Sequence, residues 1–322
     1  MKSLTTPSLW IILIVVLGVA LIPIFAGLPA LREEMFVLLM LVTLASSVNI
    51  IMGYTGYVSF GHIVFFGIGG YSAFFLVQTL QLNFVIAALI GGGVASLIAF
   101  LIGVPVLRLR GAYFALATIG INEAFRTLVT NIDALGGGIG MLLPFSAYDA
   151  YGGAASASQF AYYGLLLVTL LTIIASFLIK KSKFGLGLMA IREDQDTAMV
   201  LGIDPARIKV IVYTISALFP ALAGALFFFK NGNIEPGPAF ELHRSIEALV
   251  MVMLGGFGTV TGPVIGAFVY ERLRGFLITD PTFSNAHLVI SGALLLVIVL
   301  FVTAGVIGWL RQQSPALRRY LE

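Results

Sequence analysis

"GYTGYVSFGHIVFFGIGGYSAFF", residues 53–75, carries six glycines and one histidine in a run otherwise apolar enough to cross a bilayer. Glycine lets backbones approach closely. Non-helical backbone at membrane depth survives only where protein or a watery cavity satisfies its polar groups. The stretch therefore predicts a helix break at Gly53, Gly56 and Gly61, with Ser59 and His62 turned to a cavity or a neighbouring helix. The alternative is that Ser59 and His62 cap the following helix inside a packed interface.

The rest of the chain agrees with a membrane setting. Of 322 residues, 59% are hydrophobic and 10% charged, and the mean hydropathy is +1.05; a soluble domain carries about 25% charged residues. There is no cysteine, so disulfides, thiolate catalysis and cysteine metal sites are excluded. The three histidines (His62, His243, His287) form no metal-binding spacing. None of the six lysines follows a glycine, so a Walker A phosphate loop is absent from this chain.

A bilayer-spanning helix needs about 20 apolar residues. That length predicts eight spans: Leu9 to Leu28, Met35 to Met52, Ile63 to Leu80, Phe84 to Leu107, Ala112 to Val129, Phe160 to Ile179, Val210 to Phe229 and Leu288 to Trp309. The first apolar run exceeds the h-region of a signal peptide and reads as an uncleaved span. Ile246 to Thr279 is interrupted by "GGFGTVTGP" and reads as two short segments, giving ten crossings or part-crossings. The expected fold is a polytopic all-α permease domain over residues 1–322, with about 8–10 transmembrane segments and broken glycine-rich helices.

Lysine and arginine gather in short cytoplasmic loops. Here they gather at Arg108 and Arg110, from Lys180 to Lys209, and near the C-terminus, whereas residues 131–159 hold none. An amino terminus inside, with both termini cytoplasmic, fits this distribution. "ERLRG" (Glu271 to Gly275) is the exception, at the outer end of the ninth segment, where Glu271 can offset Arg274.

"MGYTGYVSFGHIVFFG" (Met52 to Gly67) is echoed by "LGGFGTVTGPVIG" (Leu254 to Gly266). Each has G-x-x-G after an apolar helix, then a hydroxyl residue, then a glycine opening the next helix. Gly255, Gly256, Gly258 and Gly262 are thus a second set of helix-break glycines. Internal repeats with broken helices are how many transporters build a pathway.

Between the sixth and seventh spans, "MAIREDQDTAMVL" reads as one short helix with Glu193, Asp194 and Asp196 early and Gly202 at its stop. Asp204 and Pro205 then read as N-cap and first residue of the next helix. Three acids within four residues favour a protein groove over an anionic lipid surface as the partner.

These segments resemble a known family. "GLGLMAIREDQDTAMVLGIDPARIKVIVYTISALFPALAGAL" resembles the cytoplasmic loop with which branched-chain amino-acid ABC transporter permeases dock into an ATPase. The stretches "GYTGYVSFGHIVFFGIGGYSA", "RLRGAYFALATIGINEAFRTL" and "ALVMVMLGGFGTVTGPVIGA" resemble three further family blocks, in family order from residue 49 to about 270. The outer loop departs from the family's T-G-G-x-x-G, reading "LGGGIGM" (Leu135 to Met141). The "RGAYFA" and "AIRED" forms resemble the M-type membrane subunit more than the H-type.

The resemblance implies a permease subunit in a bacterial inner membrane that is not itself an enzyme. It implies a homologous H-type permease, two cytoplasmic ATPases that bind the ATP and Mg, and a periplasmic amino-acid-binding protein as partners, with no cofactor in this chain. The loop at about 180–209 becomes the coupling loop, through Ala190, Ile191, Arg192, Glu193, Asp194, Ala198, Leu201 and Gly202. Ser59, His62, Thr259 and Thr261 become the candidates for the substrate path. Two alternatives stay open: a urea or short-amide permease, and a proton-coupled carrier using Glu123 or Glu247. Glu123 and Arg126, at i, i+3, read as an ion pair near the outer interface, and Asn49 and Asn122 add amides within the spans.

Overall fold

The computed structural model describes residues 7–26, 29–279, 305, 307 and 308. The expected span from Leu288 and the C-terminal basic cluster lie outside the described residues, apart from the three isolated positions. Among the described residues, five helices are long and apolar enough to cross a membrane: α2 (Pro29–Thr55), α3 (Ile63–Leu80), α4 (Phe84–Val106), α7 (Ala154–Lys181) and α10 (Pro205–Asn231). Around them stand α1 (Pro7–Ala26), α5 (Ala112–Thr130), α6 (Ser146–Asp149), α8 (Lys183–Glu193), α9 (Gln195–Val200), α11 (Pro236–Ala239), α12 (Leu242–Gly255) and α13 (Gly262–Thr279). This is a multi-pass helical membrane protein.

The helix limits follow local chemistry. Asn83 caps α4 by accepting from Val85 N, and Asp204 caps α10 by accepting from Ala206 N and Arg207 N, with Pro205 at the first helical position as expected. Gly202 stops the preceding helix at φ +83°. The short helix expected before it is two helices. Asp194 interrupts it and caps α9 by accepting from Thr197 N at 2.5 Å, so Glu193 ends α8 rather than opening a helix. The α5 segment is helical over its expected length but is not among the five strongly apolar spans, because Asn122, Glu123 and Arg126 interrupt it.

Helix α10 is the centre of the bundle and packs on α2, α3, α4 and α7. Small residues allow near backbone contact. A Cβ on Gly69 would lie 2.1 Å from the Ala221 carbonyl oxygen, and one on Gly224 2.0 Å from that of Phe66. Phe84 and Phe229 stack at 3.9 Å where α4 begins and α10 ends.

The bundle has two distinct ends. At one, strand β1 (Met141–Leu142) pairs antiparallel with β2 (Asn233–Ile234), tying the lysine- and arginine-free loop after α5 to the end of α10. The other end holds α8, α9 and the α4–α5 turn, joined by the Arg110–Asp196 ion pair at 2.9 Å. The first two basic clusters therefore share an end, opposite the bare loop. "ERLRG" is tolerated at the β1–β2 end because its cations stand among carboxylates: Arg274 is 3.7 Å from Glu271, and Arg272 is 4.0 Å from Glu34.

Candidate functional site

The first break runs from Gly56 to His62, between α2 and α3. Gly56 turns the chain at φ +77°, a conformation costing other residues about 1–2 kcal/mol. Gly53, expected at the break, is still helical; its glycine is required by space, since a Cβ would lie 3.0 Å from Gly258 Cα. After Gly56 the segment turns back into the bundle. His62 Nε2 lies 2.8 Å from Ser47 Oγ, and Ser47 stands eight residues before the end of α2, about 12 Å at 1.5 Å per residue. Gly61 makes the return possible, because a Cβ there would lie 2.3 Å from the Thr118 carbonyl oxygen of α5.

The start of α3 is thus buried inside the protein, with Ile63 N donating to Ser245 Oγ of α12 at 3.1 Å. His62 is no side-chain cap. Ser47 Oγ donates its one proton to the Ser216 carbonyl at 3.0 Å, so it accepts from His62 Nε2–H, and Nδ1 is left as an acceptor. That Nδ1 is buried with no hydrogen-bond partner among the described residues, and the buried Ser59 hydroxyl makes no well-formed hydrogen bond, its polar neighbour being the Tyr213 hydroxyl. Phe65 and Tyr213 pack against the imidazole at 5.4 and 6.1 Å. Orphaned buried polar atoms are uncommon in native proteins and ask for an explanation. Here they stand beside the positive end of a helix.

The second break, Gly256 to Thr261, joins α12 to α13. Gly256 and Gly258 have φ of +132° and +71°. Gly255 and Gly262 terminate the flanking helices and let them touch: a Cβ on Gly255 would lie 1.7 Å from the Gly262 carbonyl oxygen. The turn closes on itself, because Thr259 Oγ1 donates to the Gly256 carbonyl at 2.7 Å and accepts from Gly262 N at 2.9 Å. Asn49 of α2 holds it from outside, donating to the Thr259 carbonyl at 2.8 Å and accepting from Gly258 N at 3.1 Å. Of the two threonines only Thr261 keeps an unpartnered buried hydroxyl. Ser59 and His62 therefore share the first break, while Thr259 and Thr261 belong to the second, and α2 bonds to each from different side chains.

Helices α8 and α9 meet both breaks. Arg192 Nη1 donates to the Gly53 carbonyl at 3.0 Å, and its guanidinium lies 5.4 Å from the Phe257 ring centroid. Gly53 is in the last turn of α2, so this cation sits where a helix leaves its carbonyls unpaired; a bond of that kind contributes about 1.5–3 kcal/mol. Lys209, 2% exposed, donates to Tyr57 Oη and the Leu107 carbonyl at 2.7 Å each and to Gln195 Oε1 at 3.1 Å. Tyr57 Oη donates in turn to Gln195 Oε1 at 3.0 Å. A cavity of about 450 Å³ lies between these groups, lined by Gly56, Tyr57, Arg110, Ala115, Arg192 and Gln195 among others.

Of the other loop residues, Ile191 and Ala198 face the body of the protein, so Ala198 fills a groove of this chain rather than a partner's. Glu193, Asp194, Leu201 and Gly202 are exposed and Ala190 is half-buried. Asp194, outside the spans, has its carboxyl held below the usual carboxylate range by the Thr197 N–H and hydroxyl. Glu123 and Arg126 form the expected pair at 3.4 Å, on an exposed face of α5. Asn122 is buried and donates to the Phe240 carbonyl at 2.9 Å. Glu247 is buried, accepting from Tyr270 Oη at 3.0 Å with His243 Nε2 at 3.4 Å. Sequence reasoning counted Lys209 only as one member of a basic cluster and missed Gln195 and Tyr57.

The family described as branched-chain amino acid transport system / permease component matches residues 31–299. The chain belongs to this family. It is 30% identical to the LivM high-affinity branched-chain amino acid transport permease of Escherichia coli K12, over 84% of this chain and 68% of that protein. It is 26% identical to the LivH permease of the same organism, over 83% of this chain and 93% of the other. The ribose import permease RbsC of Bacillus subtilis is 31% identical over 42% of this chain and 43% of its own length. No solved structure matches the chain. This protein is accordingly a permease subunit of an ABC-type importer of the branched-chain amino acid class, not an enzyme. The glycine-rich breaks and the helices that touch them all fall within the matched residues.

Proposed function

We propose that this permease carries hydrophobic amino acids past its first break, in the inner membrane of a bacterium, with the α8–α9 end in the cytoplasm. The observation that carries the substrate reading is the pair of buried polar atoms beside the start of α3, His62 Nδ1 with no partner and Ser59 Oγ with no well-formed hydrogen bond. A zwitterion needs a positive helix end for its carboxylate, polar atoms for its ammonium, and an apolar wall for its side chain. The positive dipole end at the buried start of α3, the His62 Nδ1 acceptor and the rings of Phe65 and Tyr213 supply one of each. Thr261 offers a hydroxyl in the second break, while Thr259 has already committed its proton to the turn.

The reading includes the assembly. A homologous H-type permease pairs with this one, two ATPases hold the ATP and Mg, and a periplasmic binding protein delivers the amino acid. The ATPases dock on α8 and α9, where Leu186, Val200 and Leu201 are 65%, 87% and 72% exposed on a solvent-facing segment. Such a cluster marks a protein contact. ATP-driven closure moves these helices and switches the permease pair between two states. In the assembled importer, Val200→Glu should abolish ATP-dependent leucine uptake while the subunit still inserts, because a carboxylate would be desolvated in the ATPase groove. Unchanged uptake at normal membrane levels would remove the docking role.

A urea or amide cargo would use the same polar atoms without needing the apolar wall. Competition between labelled leucine and unlabelled urea separates the two. For proton coupling, Glu123 is exposed and salt-bridged to Arg126, whereas Glu247 is enclosed by Tyr270, His243 and Arg274. Neither borders the first break.

A further inference from the structure

We infer that Arg192 is a positioning residue that clasps the two breaks together, so that a displacement of α8–α9 moves both as one unit. The inference rests on the reading of α8–α9 as the ATPase-docking segment.

Two separate stretches of chain, at residues 53–56 and 257–258, converge on one guanidinium. Its Nη1 donates to the Gly53 carbonyl in the last turn of α2. Its planar face lies over Phe257 in the second break, within the distance at which a cation is held by an aromatic ring. Its Cγ is 3.2 Å from where a Cβ on Gly56 would stand, at the opening of the first break. At Gly258 a Cβ would lie 2.8 Å from Arg192 Nη1 and 2.9 Å from the Gly53 oxygen, so the absence of that side chain is what lets the second break reach the guanidinium. The remaining donors reach Glu193 at 2.9 Å on the same loop, which fixes the plane of the side chain.

The two breaks are not held equally. The first has a second tie to α9, through Tyr57, Gln195 and Lys209. For the second break, Arg192 supplies the contact with α8 among the described residues; its other ties lead to α2, through Asn49, and to Gly305, which stands against Gly256. Loss of Arg192 therefore has a lopsided consequence. The first break still follows α9, and the second loses its direct link to α8, keeping only the tie through Asn49 of α2 and the contact with Gly305. A residue that only stabilised the fold would weaken both alike.

The chain has no cysteine, so single cysteines can report each break. Val58→Cys stands in the first and Val260→Cys in the second. Each is placed in the importer assembled with its ATPases and partner permease, and N-ethylmaleimide labelling is timed before and after trapping with ATP and vanadate. With Arg192 present, trapping should change the labelling rate several-fold at both positions. In the Arg192→Gln background the response should persist at Val58→Cys and fall to background at Val260→Cys, with Arg192→Lys between. A response at both cysteines in Arg192→Gln, or loss at both together, would overturn the clasp. If neither cysteine responds with Arg192 intact, the docking reading beneath it fails instead. Should Arg192→Gln not assemble, Phe257→Leu removes the ring contact and leaves the Gly53 bond; the response at Val260→Cys should then fall selectively, and an unchanged ratio would overturn the proposal.

Discussion

The two glycine-rich breaks look alike in sequence and differ in how their polar groups are satisfied. The second closes on itself: Thr259 bonds both sides of its own turn, and Asn49 secures the backbone at Gly258 and Thr259. The first is held by Tyr57, by Phe60 N on Thr118 Oγ1 and by the Ser47–His62 contact, and leaves His62 Nδ1 unpartnered and Ser59 Oγ without a well-formed hydrogen bond, whereas the second leaves the Thr261 hydroxyl. One G-x-x-G unit thus builds a turn bonded across itself, and the other a turn with two buried polar atoms left over. Thr259 within the motif and Ser47 and Asn49 on α2 decide the difference.

The largest expected effect comes from attacking the closed corner. A Cβ on Gly266 would lie 1.8 Å from the Met251 carbonyl oxygen, so Gly266→Val must push α12 and α13 apart. Overpacking of this kind costs about 3 kcal/mol, and the subunit should fail to accumulate or should unfold at a clearly lower temperature in detergent. Normal yield and melting would mean that the two helices are not locked at this contact.

Asn49→Leu comes next. It leaves Gly258 N and the Thr259 carbonyl unpaired in the interior, at about 1–3 kcal/mol each. Thermal stability should drop while His62 and Ser47 stay in contact. Equal disturbance of both breaks would erase the distinction drawn between them.

Asp194 gives the smallest effect, one confined to acid. Its folded carboxyl titrates below the ordinary value because Thr197 stabilises the charged form. Its contribution is therefore complete above that ordinary value and is lost as pH falls through the lowered one. Asp194→Asn should keep the α9 cap and remove this acid dependence, and Asp194→Ala should lose the cap at every pH. Amide exchange in residues 195–200 checks both.

What could be read from the sequence was what is local. Spans show through apolar length, and Gly202, Asp204 and Pro205 mark the start of α10 because caps act over three or four residues. The division between α8 and α9 was present as Asp194 with Thr197 three residues on, but the acids around it read equally well as a dipole-favoured first turn. Most of the site was not legible. Asn49 meets a partner 210 residues away and Lys209 one 102 residues away, and no spacing rule reaches so far. Lys209 sits in an ordinary basic loop by sequence, and the carbonyl end of α4, Tyr57 and Gln195 together make its burial tolerable.

Ser59→Ala and Thr259→Val each delete one hydroxyl, and so compare the breaks most directly. Measured together, they test whether the first is a substrate recess and the second a structural corner, using the concentration dependence of leucine uptake in proteoliposomes beside the melting temperature of the complex. Ser59→Ala should raise KM for uptake and leave stability within about 1 kcal/mol, since the lost hydroxyl makes no well-formed hydrogen bond. Thr259→Val should lower stability and leave KM unchanged. An unaltered KM in Ser59→Ala, or a shift in KM that appears only with Thr259→Val, would contradict the assignment.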